Sequence, residues 1–473
     1  MICRLRYNTA SLPHLEIRVK DLTQGPIRGH LLAMAAPMAI GMLVQTLFFF
    51  VDLYFVSKLG SDAVAGVSTA GNATFIVMAL TQMLSVATVT LISHAAGKKD
   101  HKRVNLVFNQ AFFISLLGTL ATLLLGSVLV GRYMQQVAAN PQIAALGASY
   151  LHWFLPGLAL QFVMMMLGAA LRGVGVTKPP MVAQLVSISL NIVLAPILIA
   201  GWGTGHAMGV AGAGLASSIA LVVAVALLLW HFRHHESYLD LHREKMRPVW
   251  PVWREMLKVG LPAGGEFLLM FCFIAFVYSV LRDFGGAAQA GFGIGSRVMQ
   301  MLFLPAMAVG FAVPAVAGQN FGAGHAERVR ATLFNAILIE TGLMLILTVL
   351  CKINPHWLAS PFSDDPAVLA YSSEFLTIIS WNFVASGLLF ACSGMFQALG
   401  NTWPGLLCSA LRLTIFMLPV SWLARQSGFH TTQVWYLSVA TMLVQAACAL
   451  GLVFWQMRLR LPHARKVHAE VQA

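Results

Sequence analysis

The chain has 473 residues, of which 58% are hydrophobic and only 10% charged, and its formal net charge is +13. That balance leaves too little polar surface for a water-soluble globule, which excludes a soluble enzyme or a nucleic-acid-binding domain. A helix needs about twenty apolar residues to cross a bilayer, so the chain has room for roughly a dozen spans.

Long apolar runs predict twelve transmembrane helices, near 31–57, 62–95, 104–131, 143–171, 181–201, 211–232, 259–282, 287–319, 329–352, 368–396, 405–424 and 434–457. Ahead of the first, Arg4, Arg6, Glu16, Arg18, Lys20, Asp21 and Arg28 interrupt the chain too often for a cleavable signal peptide, so the N-terminus is expected to stay attached. With both termini cytoplasmic, Lys and Arg crowd the inner segments, and only Lys58, Arg132, Arg282, Lys352 and Arg425 fall in outer loops. The positive-inside rule requires such a bias, which also accounts for the net charge. Cys3, Cys272, Cys351, Cys392, Cys408 and Cys448 form no CxxC pair and read as small packing residues.

In the first span Gln45, Phe48, Phe49 and Asp52 share one helical face, which gives that stripe an acceptor, two aromatic rings and a carboxylate. A carboxylate inside a span is costly, so Asp52 is the leading candidate for an ion or organic-cation site. The fifth span carries Gln184, Ser187, Asn191 and Ala195 on one face, where the polar groups suit either an ion site or helix-to-helix hydrogen bonds. Segment 233–258, with five basic residues after His235 beside Trp250 and Trp253, reads as an interfacial linker between a 31–232 lobe and a 259–457 lobe. Residues 1–30 and 458–473 are the cytoplasmic ends. Glu266 lies four residues past Pro262, only about 10 Å above the expected inner end of its span, as an ion carrier or an inner-gate residue. Arg297, Glu340 and Arg412 lie roughly 15 to 18 Å below the outer ends of their helices. They are expected to form a charge cluster in which Glu340 pairs with one arginine.

An internal repeat organises these elements. Shifting the sequence so that Pro37 falls on Pro262 also places Gly60 on Gly285, Gly97 on Gly322, Arg103 on Arg328, Pro141 on Pro366, Gly175 on Gly400 and Pro179 on Pro404, all without a gap. Six helices separate the copies, so both have the same orientation and are related by an axis along the membrane normal. The fold expected is therefore an all-α membrane protein of twelve helices in two pseudo-symmetric six-helix lobes. There is no GxxxxGK[ST] loop to bind ATP phosphates and no HExxH metal motif. His234, His235 and Glu236 read as solvated charge, and Gly291, Gly293 and Gly295 as close helix packing.

Several motifs in order resemble one family. Asp21-Leu-Thr-Gln-Gly-Pro-Ile, Pro37, Leu43-Val-Gln-Thr-Leu, Val51-Asp-Leu-Tyr-Phe-Val and Gly60 resemble the opening of a multidrug and toxic compound extrusion (MATE) transporter. Leu171-Arg-Gly-Val-Gly-Val-Thr-Lys-Pro with Asn191-Ile-Val-Leu resembles its fourth-to-fifth helix connection, and Gly318-Gln-Asn-Phe-Gly-Ala-Gly its eighth-helix exit. The resemblance implies two six-helix lobes around an amphiphilic cavity, exporting lipophilic, mostly cationic organic compounds in exchange for H+ or Na+ by alternating access. It further implies a multi-pass protein of the cell inner membrane, without cofactor, metal or enzymatic step. The lipid bilayer and small organic cations are the expected partners, nucleic acid is not, and a monomer is expected. Asp52, Gln45 and Asn191 match the family's ion-coupling positions, with Glu266 a second candidate. Phe48, Phe49, Gln184, Ser187 and Ala195 are assigned to the substrate cavity. Ala195 is a departure, because many members place a second aspartate there. A lipid-linked glycan flippase of the same wider superfamily is the alternative, but it calls for a cavity rich in Lys and Arg, and the predicted spans hold only Arg297 and Arg412.

Overall fold

Twelve helices long and apolar enough to cross a membrane are present among the described residues of the computed structural model. Those residues are 21–203, 205–235 and 239–461, without the side chains of 47–53, 235 and 243. In chain order the helices are α1 (Ile27–Ser57), α2 (Ser61–Gly97), α3 (His101–Val137), α4 (Pro141–Gly173), α5 (Lys178–Ala200), α6 (Val210–His235), α7 (Trp250–Leu281), α8 (Gly286–Gly322), α9 (Ala326–Ile353), α10 (Pro366–Ile379, continued as Phe383–Ala398 after a 3-10 turn), α11 (Trp403–Leu423) and α12 (Thr431–Arg460). Local chemistry sets several starts. The Asp100 carboxylate accepts from Arg103 N at 2.9 Å, and Asn140 Oδ1 accepts from Ile143 N at 2.7 Å ahead of Pro141. Asp365 accepts from Ala367 N at 2.8 Å ahead of Pro366, and each bond satisfies a donor the helix itself leaves open.

The expected linker is shorter than 233–258. α7 begins at Trp250, because Pro251 suits a first helical turn, and the basic stretch from Arg254 to Lys258 is helical. What remains is clamped to α3. Asn109 Nδ2 donates to Asp240 O and its Oδ1 accepts from His242 N, both at 2.8 Å. Gln110 Nε2 donates to Lys245 O and Arg247 O, while its Oε1 accepts from Val249 N and from Trp253 Nε1. Three polar side chains on one face of α3, with Asn105 accepting from Asp240 N, thus satisfy a backbone that has no partner of its own.

The repeat is written into the folded backbone. Gly60 and Gly285 take positive φ, 108° and 92°, immediately before α2 and α8. Lys99, the one non-glycine residue with positive φ among those described (56°), sits where the second copy has Gly324 at 78°. The lobes α1–α6 and α7–α12 meet about the same axis at the end where α1 begins and α12 finishes. A Cβ on Gly97 would fall 2.0 Å from Gln319 O, and one on Gly322 would fall 2.2 Å from His94 O. Gly97 and Gly322 are repeat mates, and so are His94 and Gln319. His94 Nε2 lies 2.6 Å from Ala398 O, and Gln319 Nε2 donates to Gly173 O at 3.0 Å, again a matched pair. In lipid, apolar burial does not drive helices together, so glycines that admit direct backbone contact supply the attraction.

The seam also has an apolar side. Leu31, Met34 and Ala35 of α1 and Val89 of α2 share one core cluster with Ala308, Val316, Val329 and Phe396. α7 packs on α2 in the mirrored arrangement, with Gly260 and Gly264 against Met83. The segment before α1 straps this end closed. Leu22 N donates to Gln319 Oε1, Leu22 O accepts from Asn320 Nδ2, and Arg328 Nη2 donates to Gly25 O. Thr23 donates through both its amide and its hydroxyl to Asp21, which holds that carboxyl below its usual range. Every glycine whose added Cβ would strike the other lobe, among the described residues, lies in the half of the molecule where α1 begins and α12 finishes.

Candidate functional site

Each lobe contains a polar group inside its helix bundle, and the two differ in character. In the first lobe Asn191 is 1% exposed and its Nδ2 donates to Ser217 Oγ of α6 at 3.0 Å. Its Oδ1 is buried with no hydrogen-bond partner among the described residues. α1 and α5 run parallel, and Gly41 of α1 faces Met181 of α5. Equal rise along both helices then brings backbone position 52 level with Asn191. The side chains of Phe48, Phe49 and Asp52 lie outside the described residues. Gln45 is exposed, and Gln184 and Ser187 are partly buried on the Asn191 face of α5. Ala195 was expected to line the substrate cavity. It is fully buried in an apolar cluster with Val56, Ala63, Tyr150 and Ile199, because its methyl fills the contact between α1, α2, α4 and α5.

In the second lobe the candidate acid is Glu266 of α7. It lies roughly 24 Å from the start of α7, since that helix begins nine residues earlier than expected. Ser393 Oγ of α10 lies 3.4 Å from Glu266 Oε2, and Gln397 Nε2 donates to Ser393 Oγ at 3.5 Å. Gln445 Nε2 of α12 donates to Ser409 Oγ of α11 at 3.2 Å. Glu266, Ser393, Cys408 and Gln445 line one small cavity between α7, α10, α11 and α12. Gly405 makes room for the carboxylate, because a Cβ there would lie 3.1 Å from Glu266 Oε2. The carboxylate is therefore surrounded by neutral oxygens and amides, with no cationic partner among the described residues, an arrangement open to a proton or a small cation. Sequence reading missed Ser393, Gln397, Ser409 and Gln445, though each is a polar residue inside an apolar run.

The expected charge cluster of Glu340, Arg297 and Arg412 does not form. Glu340 is 0% exposed, and neither carboxyl oxygen has a hydrogen-bond or ion-pair partner among the described residues. Its Cβ lies against Gly387 of α10. Arg297 is exposed on α8, and the Arg412 guanidinium stacks 4.3 Å above the Phe273 ring of α7. Equal depth was a poor guide, because α9 turns Glu340 toward α10 while α11 turns Arg412 toward α7.

Comparison with known proteins bears on both the fold and the repeat. The MatE family model matches residues 37–197 and again 262–423, the two copies the sequence shift had superposed. The chain is 26% identical over 395 residues to the "Probable multidrug resistance protein YpnP" of Bacillus subtilis, covering 81% of this chain and 86% of that relative. It is 23% identical over 436 residues to the "FAD transporter" of Shewanella oneidensis, covering 90% and 94%. A solved "Outward-facing conformation of a multidrug resistance MATE family transporter" superposes with a TM-score of 0.85 at 23% identity, over 93% of this chain and 98% of that one, which establishes the shared two-lobed fold. Matched across both halves of its length, the chain belongs to the MatE family, as a multi-pass membrane transporter and not an enzyme.

Proposed function

We propose that this transporter exports lipophilic, mostly cationic organic compounds in exchange for H+ or Na+, with both termini in the cytoplasm of a cell whose inner membrane it spans. The observation that carries the reading is the buried Oδ1 of Asn191, at the level of position 52 and without a partner among the described residues. A protonated Asp52 would donate to that oxygen, and a sodium ion would use it as a ligand, so either ion is better held than none. With Asp52 ionised, the same carboxylate attracts a cationic substrate. Ion and substrate thus compete for one charge, and exchange follows.

The closed seam at the terminal end supports an arrangement whose cavity opens away from the cytoplasm, the state in which a drug is released and an ion enters. A ligand shifts the balance between this state and its opposite only by binding the two differently. Glu266, among Ser393, Ser409 and Gln445, is a second station for the ion in the other lobe. Uptake of a fluorescent organic cation into inverted vesicles is the test. An imposed pH gradient or an imposed sodium gradient should drive accumulation, and equal uptake with neither would refute ion-coupled export.

A further inference from the structure

Among the described residues Arg412 has no counterion: it makes no hydrogen bond and no ion pair, and its one partner is the Phe273 ring. An uncompensated guanidinium roughly 16 Å inside the end of a membrane helix is costly unless something supplies negative charge. It does not reach lipid. Gly405, Ser409, Arg412 and Phe416 recur at helical spacing on the inward face of α11, opposite the exposed Leu407, Leu411, Thr414 and Leu418. Cys408, one turn below, lines the cavity that holds Glu266. Nε of Arg412 is buried without a partner, while the residue as a whole is partly exposed.

The acid of the cavity is out of reach. Glu266 contacts the Gly405 level of α11 and Phe273 the Arg412 level, seven residues higher on both helices, a separation of about 10 Å. Arg412 is therefore a guanidinium held over an aromatic ring, with no anionic partner among the described residues. We propose that Arg412 and Phe273 form an oxyanion subsite of the transport cavity, which binds the carboxylate or phosphate group of an aromatic amphiphile. The planar fork suits the two oxygens of such a group, and the Phe273 ring that holds it is itself backed by the buried Phe416 at 4.7 Å. Molecules carrying both charges would place their anion here and their cation toward the acidic groups of the cavity.

This subsite rests on the reading of the protein as an amphiphile exporter, and a matched pair of ligands separates the two claims. The zwitterionic free acid of a rhodamine dye and its cationic methyl ester differ by one carboxylate. Binding of each to the purified full-length protein in dodecyl maltoside micelles is measured by fluorescence polarisation. Wild type should prefer the acid. Arg412→Gln should weaken the acid by about 10- to 100-fold, the worth of a charge-assisted contact, and leave the ester unchanged. Should that variant unfold, Arg412→Lys keeps the charge without the fork and should still lower the acid-to-ester ratio.

An acid-to-ester ratio that is the same in wild type and in the folded variant would overturn the subsite while leaving cation export standing. Acid binding that needs Arg412, in a protein that ignores the ester, would uphold the subsite and overturn cation export. Displacement of the acid by phosphatidylglycerol from wild type but not from Arg412→Lys would reassign the subsite to a lipid phosphate and refute its role in substrate recognition.

Discussion

Replacing Gly97 by alanine should open the seam at the terminal end. The added Cβ would lie 2.0 Å from Gln319 O, 2.7 Å from Gln319 C and 2.9 Å from its Cα. These are backbone atoms, so no flexible side chain can swing aside. An ordinary carbon–oxygen contact is about 3.3 Å or longer, so α2 and α8 must separate by about 1.3 Å at this level. Overpacking of this kind typically costs about 1–3 kcal/mol, and here the cost falls only on the state in which the two helices touch. The balance between the two lobe arrangements should then move about 5- to 150-fold toward the one open at this end. Spin labels at Lys98 and its repeat mate Ala323, in a background without native cysteines, report the gap by pulsed electron resonance. A longer distance population should appear in Gly97→Ala and likewise in Gly322→Ala. Gly342→Ala, which meets nothing within 4 Å, should leave the distribution as in wild type. An unchanged distribution in both seam variants would refute the claim that these two glycines set the closed state.

Two further outcomes follow from groups placed by the structure. Glu340→Gln should not lower the detergent melting temperature, because no arginine or other cation loses a partner and a neutral amide of the same shape replaces a carboxyl buried without a counterion; a fall of several degrees would show a pairing that has been missed. The strap before α1 should loosen in acid. The Asp21 carboxyl titrates below its usual 3.8 because Thr23 donates to its charged form, so the stabilisation is present above 3.8 and is lost as pH falls through the lowered value. The hydrogen-exchange protection factor of the Leu22 amide should fall over that range in wild type and be low throughout in Asp21→Asn.

Much of this was legible in the sequence. Twelve apolar runs and a gapless repeat gave the helices and the two lobes, because span length and duplicated glycines are properties of the chain itself. The repeat even pointed to Gly97 and Gly322, although only the folded chain shows that each touches the mate of the other's neighbour. Lateral placement was not legible. Depth along a helix put Arg297, Glu340 and Arg412 in one layer, but which way a residue faces depends on helix rotation and on which helices adjoin, and those follow from packing across the bundle. The burial of Ala195 was hidden for a related reason. Its face of α5 carries Asn191, yet one turn further Val56, Ala63 and Tyr150 of α1, α2 and α4 pack over that face and bury it. The start of α7 was misplaced because basic residues were read as loop, whereas Pro251 and the aromatic pair Trp250 and Trp253 suit the first turn of a helix lying at headgroup depth.

The central claim is that one carboxylate in α1 serves ion and substrate in turn, and gradient-driven efflux by Asp52→Asn tests it most directly. Purified wild type and variant are reconstituted into liposomes, loaded with a fluorescent cation, and given a pH gradient and then a sodium gradient. The asparagine is close in shape but cannot ionise, so the variant should express and melt like wild type and lose nearly all gradient-driven efflux. Full gradient-driven efflux by Asp52→Asn would contradict the account and pass the coupling role to Glu266.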